Sequence, residues 1–218
     1  PATLAKQLDK LQEEWEDVLD MDELPPFEAF SRCRAILAES RIPAMLEQVE
    51  SFEESETPLV VFSAYRAPID ELTNREGWKT ITGDTPVKAR QEIVDAFQAG
   101  QLKGIGLPIA AGGVGLTLTK AAHVLFTDLD WVPANNSQAE DRLVRIGQTA
   151  SNVQIIRMVS DHPLDRHVQN LLVGKIAMAK AAIHAEAKAL VPVPALPVKV
   201  EGETEEAFTA RMKVVQDA

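Results

Sequence analysis

Two arginines and a glutamine at helical spacing carry the strongest chemical signal in the chain. In Gln138-Ala139-Glu140-Asp141-Arg142-Leu143-Val144-Arg145-Ile146-Gly147-Gln148, the residues Gln138, Arg142 and Arg145 stand at i, i+4 and i+7, so a helix carries them as one polar stripe. Asn135 or Asn136 can cap the start of that helix and Gly147 can end it. Leu143 and Ile146 then point away from the stripe, into a sheet, and the arginines project from a rigid support. Arginine's planar fork suits bidentate phosphate recognition, and a phosphoryl group in transfer, with charge spread over its oxygens, rewards it strongly. The plain alternative is a solvated face on which Glu140 and Asp141 are ion-pair partners.

A glycine-rich run precedes this segment: Ala110-Ala111-Gly112-Gly113-Val114-Gly115-Leu116-Thr117-Leu118-Thr119. Glycines let backbone amides approach a phosphate, and a following helix adds the positive end of its dipole. A tight strand-to-helix turn asks for the same glycines on conformational grounds alone. A dinucleotide fingerprint starting at Gly113 or Gly104 fails, because its third small position falls on Leu118 or Ile109. A Walker loop fails too: Gly174-Lys175, the sole Gly-Lys pair, is followed by Ile176. With one cysteine, Cys33, and with His123, His162, His167 and His184 lacking partners at ligand spacing, no metal site is expected. Asp70-Glu71 reads as a solvated helix surface.

These loops need elements to hold them. From Pro58, short apolar runs alternate with amphipathic segments, which is the pattern of successive βα units and a parallel sheet. Strands are expected near Leu59–Ser63, Trp78–Ile81, Gly104–Ile109, His123–Thr127 and Val153–Met158, with helices at about Ala67–Arg75, Pro86–Gln98, Val114–Thr119, Asn136–Arg145 and Pro163–Ala185. Ligands of such a sheet belong at the carboxyl ends of the strands. Before it, Leu4, Leu8, Leu11, Trp15, Val18 and Leu19 share one helical face, Pro25-Pro26 stops that helix, and a second helical region runs from Phe27 past Arg41 with Pro43 near a further start. After it come Pro192, Pro194 and Pro197, spaced like a linker, and a polar helix candidate at Glu203–Val215.

The domains expected are therefore an acidic helical extension over 1–57, an α/β three-layer lobe over 58–185, and a Pro-containing linker and polar tail over 186–218. The net charge is −11, which by itself argues against a nucleic-acid partner. Its distribution changes that reading: residues 1–57 hold 5 basic and 15 acidic side chains, and residues 58–180 hold 13 and 12. A near-neutral core leaves room for a local basic groove. No run approaches the length of a membrane span and no signal peptide opens the chain, so an intracellular protein is expected, cytoplasmic in a bacterium or virus and nuclear in a eukaryote.

Taken together, the segments resemble the second RecA-like lobe of Swi/Snf-type superfamily 2 ATPases. Gln138 to Gln148 is similar to their motif VI, Ala111 to Thr119 to motif V, and Val60-Val61-Phe62-Ser63 to motif IV; Ile81-Thr82-Gly83-Asp84 with Arg90 resembles the segment after it. The likeness covers about residues 32–175, and its motif VI looks closest to the annealing-helicase branch. It implies that Arg145 and Arg142 face ATP and Mg2+ held mainly by an absent first lobe, Arg145 as arginine finger. It implies further that Gln138, Gly113 and Gly115 couple the lobes and the nucleotide, and that Ser63, Thr82, Gly83, Ala111, Gly112 and Thr117 meet a DNA backbone without reading sequence. The partners implied are DNA and the first lobe of the same polypeptide, with no membrane and no oligomer. The chain departs from the family at Leu107-Pro108-Ile109, where Ser or Thr is usual, and at Val144, where His is common. A competing class is a non-catalytic module that borrows the lobe to dock DNA or protein; a dinucleotide enzyme is weakened by the failed glycine pattern.

Overall fold

The computed structural model describes residues 27–110 and 115–190, the side chains of residues 27, 29 and 182–190 apart. The amphipathic helix expected over Leu4 to Leu19, the linker prolines and the Glu203–Val215 helix lie outside the described residues. By internal packing the chain divides into two compact units, Pro1–Lys175 and Ile176–Ala218.

Five strands form one parallel sheet: β1 (Leu59–Ser63), β2 (Trp78–Thr80), β3 (Gly104–Pro108), β4 (His123–Phe126) and β5 (Gln154–Arg157), in the order β2-β3-β1-β4-β5. Among the described residues the helices are α1 (Phe27–Ser40), α2 (Ile42–Glu54), α3 (Arg66–Thr73), α4 (Val87–Gln98), α5 (Pro133–Glu140) and α6 (Pro163–Leu190). Among the described residues no helix is long and apolar enough to cross a membrane.

β1 is central and every residue of it is buried, so its Leu-Val-Val-Phe run feeds two cores at once. Val60 and Phe62 join Ile105, Leu107, Val124 and Phe126 beneath α4 and α5, while Leu59, Val61 and Leu125 pack on Met45 and Val49 of α2 and Ile69 and Leu72 of α3. The period-2 alternation of a strand produces this three-layer arrangement. Each large side chain so buried is worth about 1.5–3 kcal/mol. A third cluster joins Phe30, Cys33 and Leu37 of α1 to Leu164, Val168 and Leu172 of α6.

Two sheet positions fix the register. Phe62 sits opposite both Leu107 and Phe126, and its ring stacks on Phe126 at 5.4 Å. At the other end Gly104 faces Trp78: a Cβ on Gly104 would lie 2.3 Å from the indole ring, a distance no real side chain tolerates. That indole is itself fixed, donating from Nε1 to Glu53 at 2.7 Å.

The helix expected over Val114–Thr119 does not form among the described residues. Gly115 to Leu118 has no regular structure and turns at Thr119 and Lys120. Leu116 and Leu118 are both buried in the core, which extended chain achieves and a helix, turning them about 200° apart, does not. The Leu118 N–H is accepted by the Arg142 carbonyl at 3.0 Å, a partner outside any helix of its own. The helix dipole expected behind the glycine loop is therefore not supplied by residues 115–119.

Candidate phosphate-facing site

The candidate residues lie on several connections: Ser63 at the carboxyl end of β1, Thr82 and Gly83 after β2, Gly115 and Thr117 between β3 and β4, and Arg142 and Arg145 between α5 and the amino end of β5. After β4, Thr127 and Asp128 are buried, and Asp130 organises the entry to α5. Val132, in extended conformation, precedes the helix, with Pro133 in its first turn. Asn135 and Asn136 do not cap it. They sit inside it and reach back: Asn136 donates from Nδ2 to the Asp130 carbonyl at 2.7 Å and accepts from the Asp130 N–H at 2.8 Å, and Asn135 donates to the Asp130 carboxylate at 3.1 Å.

The single stripe expected of Gln138, Arg142 and Arg145 is not formed. α5 ends at Glu140, and a chain of turns runs to Gly147, whose φ is +104°. The physical cause is tertiary. The Arg142 carbonyl is taken by Leu118, while the Leu143 carbonyl accepts from the Arg145 N–H and from Gln148 Nε2, and Leu143 itself is fully buried. Continuing the helix would break those bonds and lift Leu143 from the core. Ile146, expected to face the sheet, is instead 100% exposed.

The two arginines consequently differ in kind. Arg142 is 4% exposed, its guanidinium lies 5.6 Å from the centroid of the Phe62 ring, and Nη1 and Nη2 have no hydrogen-bond partner. Burial alone pulls its pKa down, because no carboxylate compensates it. Arg145 is exposed and turned onto the glycine-rich segment, donating from Nη1 to the Gly115 carbonyl at 3.1 Å and to Thr117 Oγ1 at 3.2 Å. Among the described residues its Nε and Nη2 have no hydrogen-bond partner. Val144 and Ile146 stand exposed on either side in sequence, and with Arg145 and Gln148 they line an open hollow of about 430 Å³.

The other expected site residues are dispersed. Gln138 is exposed on α5. Ser63 is fully buried, its hydroxyl donating to Asp128 at 2.7 Å and accepting from the Tyr65 N–H at 2.9 Å. Thr82 is nearly buried and its N–H is bonded to Thr85 Oγ1, whereas Gly83 is exposed with open space where a Cβ would point. Arg90 braces this loop through the carbonyls of Gly83 and Thr85. Ala111, Gly112 and Gly113 lie outside the described residues.

Sequence reasoning missed Asp128, which receives Ser63, Thr127 and the Ala64 N–H and so ties β4 to the end of β1. Burial raises its pKa against those three hydrogen bonds. Its signal was an acid directly after a buried strand. It missed also the Arg41–Asp165 ion pair, with Ser160 bonded to the same carboxylate, which joins the α1–α2 junction to α6. Among the described residues no three His, Cys, Asp or Glu side chains come together as a metal cluster.

A parallel five-stranded sheet with helices on both faces defines a RecA-like α/β lobe. Residues 40–147 match the helicase conserved C-terminal domain. The chain is 35% identical over 134 residues to a Caenorhabditis elegans SWI/SNF-related matrix-associated actin-dependent regulator of chromatin, subfamily A containing DEAD/H box 1 homolog, covering 59% of this chain and 13% of that protein. It is 32% identical over 157 residues to the subfamily A-like protein 1 of Xenopus tropicalis, covering 69% and 17%. The Sulfolobus solfataricus SWI2/SNF2 ATPase core domain shares the fold at a TM-score of 0.60 and 20% identity, over 83% of this chain and 42% of that one. The chain belongs among the C-terminal lobes of Swi/Snf-type superfamily 2 ATPases, and it spans less than a fifth of the length of these two relatives.

Proposed function

We propose that this lobe is the second half of an ATP-dependent DNA translocase or helicase, of the annealing-helicase branch, and that it brings two cations to a phosphate site completed by the first RecA-like lobe of the same polypeptide. ATP with Mg2+ supplies the phosphoryl chemistry, held mainly by that other lobe. The observation that carries the reading is Arg145: exposed, anchored through one nitrogen, with the Nε–Nη2 edge open for a bidentate oxyanion contact. Exposed Val144 and Ile146 beside it support a face that another surface covers.

Arg142 supports the same reading from the opposite side. A buried guanidinium without a counter-ion costs several kcal/mol, and an anion arriving from outside the lobe relieves that cost. Gln138 links the lobes at their edge, while Gly113 and Gly115 carry the glycine segment that joins nucleotide to DNA. Gly83, Thr82, Ala111, Gly112 and Thr117 meet the DNA backbone. Ser63 shapes that surface through its position, because its hydroxyl is committed inward to Asp128. Relatives that are SWI/SNF-related regulators of chromatin support DNA as the substrate and, in a eukaryote, a nuclear site of action.

The missing Walker lysine sets the first test. Alone, the chain is expected to bind ATP weakly and to turn it over no faster than background, with or without DNA; joined to a Swi/Snf-type first lobe it is expected to show DNA-stimulated hydrolysis. Robust hydrolysis by the chain alone contradicts the half-motor reading, and a joined protein that binds DNA but never hydrolyses ATP favours a docking module.

A further inference from the structure

We infer that Thr117, with the Gly115 carbonyl, is the positioning element for Arg145; the inference rests on the reading of Arg145 as the cation that crosses to the first lobe. Arg145 sits in a run of turns, not on a helix, so its own backbone does not stiffen it. An exposed arginine in such a place samples many rotamers, and ordering it costs up to about 2 kcal/mol of side-chain entropy. In this lobe that ordering is done before any nucleotide arrives. Nη1 donates to the Gly115 carbonyl at 3.1 Å and to Thr117 Oγ1 at 3.2 Å. Both acceptors are neutral, so they orient the guanidinium without neutralising it.

The geometry of the fork gives the arrangement its use. Two bonds at Nη1 fix the plane, and the Nε–Nη2 edge stays available for a bidentate phosphate contact. The anchor is itself held: Leu116 and Leu118, on either side of Thr117, are buried in the core, and the Leu118 N–H is bonded to the Arg142 carbonyl. Two residues, Leu143 and Val144, lie between Arg142 and Arg145, so the glycine segment and the arginine segment are stitched at two points. The guanidinium packs against the backbone at Gly115, where an added Cβ would stand 3.9 Å from both Nη1 and Nη2, an ordinary contact. Thr117 thereby acts on turnover through Arg145, independently of any contact of its own with DNA.

The test compares Thr117→Val, which keeps the shape and removes the acceptor, with Thr117→Ser, which keeps the hydroxyl. In this chain, side-chain NMR of Arg145 reads rotation about its guanidinium bonds. Slow rotation is expected in the parent and in Thr117→Ser, and faster rotation in Thr117→Val. In a two-lobe protein containing the chain and saturated with DNA, Thr117→Val is expected to lower kcat roughly tenfold, the value of one hydrogen bond to a charged group, with KM for ATP within about twofold of the parent. Thr117→Ser is expected to restore kcat, and Thr117→Val added to Arg145→Ala to cost nothing further. Unchanged rotation in Thr117→Val, or a kcat loss that adds in full to that of Arg145→Ala, overturns the inference. If Arg145→Ala itself leaves turnover intact, the cation reading has failed, and the NMR comparison alone decides whether Thr117 positions the arginine.

Discussion

Arg142 and Arg145 are three residues apart and pay for their positions differently. Arg145 stays hydrated and needs only orientation; Arg142 is stripped of water over Phe62 with no hydrogen bond from Nη1 or Nη2. A buried unpaired cation lowers the stability of the lobe that carries it. Arg142→Met keeps an unbranched chain over the Phe62 ring, removes the charge, and leaves the carbonyl bonded to Leu118 untouched. Thermal unfolding of the chain is expected to show Arg142→Met as stable as the parent or more so, by on the order of 1 kcal/mol. In a two-lobe protein the same substitution is expected to lower ATP turnover at least about tenfold, the trade of stability for function that active sites show. A marked fall in melting temperature with normal turnover would make Arg142 a structural residue instead.

At the scale of elements, the strands were legible and the arginine-bearing segment was not. Leu59-Val60-Val61-Phe62 reads as a doubly buried parallel strand because its apolar pattern and its packing agree, and β1 forms there with every residue buried. The stripe of Gln138, Arg142 and Arg145 satisfied a helical period equally well, but helix formation stopped at Glu140. What stops it is Leu118, a residue distant in sequence that takes the Arg142 carbonyl, together with the burial of Leu143. No local pattern announces such a bond. The same holds for Ser63, whose inward turn is set by Asp128, 65 residues further on. Glycine 104, by contrast, has a purely steric role at the β2–β3 pairing. Gly104→Ala would drive a methyl group into Trp78, and Trp78 is held by Glu53. Overpacking of this kind costs about 1–3 kcal/mol, so denaturant unfolding of Gly104→Ala is expected to show that loss. Stability equal to the parent would mean that the indole can move aside.

For the molecule as a whole, the acidic start of the chain is not separable at residue 57, since Met45 and Val49 of α2 lie in the core shared with β1. Residues 40–147, the match to the helicase conserved C-terminal domain, include α2. The lobe offers an anchored, half-free arginine beside exposed Val144 and Ile146, and it lacks the phosphate-cradling loop that would make it a motor by itself. What Arg145 does when a first lobe is present therefore decides whether this lobe is half of a motor. DNA-stimulated ATP hydrolysis, measured in a two-lobe protein, is expected to fall at least about 10²-fold in Arg145→Ala, since arginine fingers are worth on the order of 10³ to 10⁵ in rate. DNA affinity and melting temperature are expected to stay near those of the parent, and Arg145→Lys to recover little, because a point charge lacks the fork. Normal hydrolysis by Arg145→Ala, accompanied by a much lower melting temperature, would contradict the account and leave Arg145 as a clasp on the glycine-rich segment.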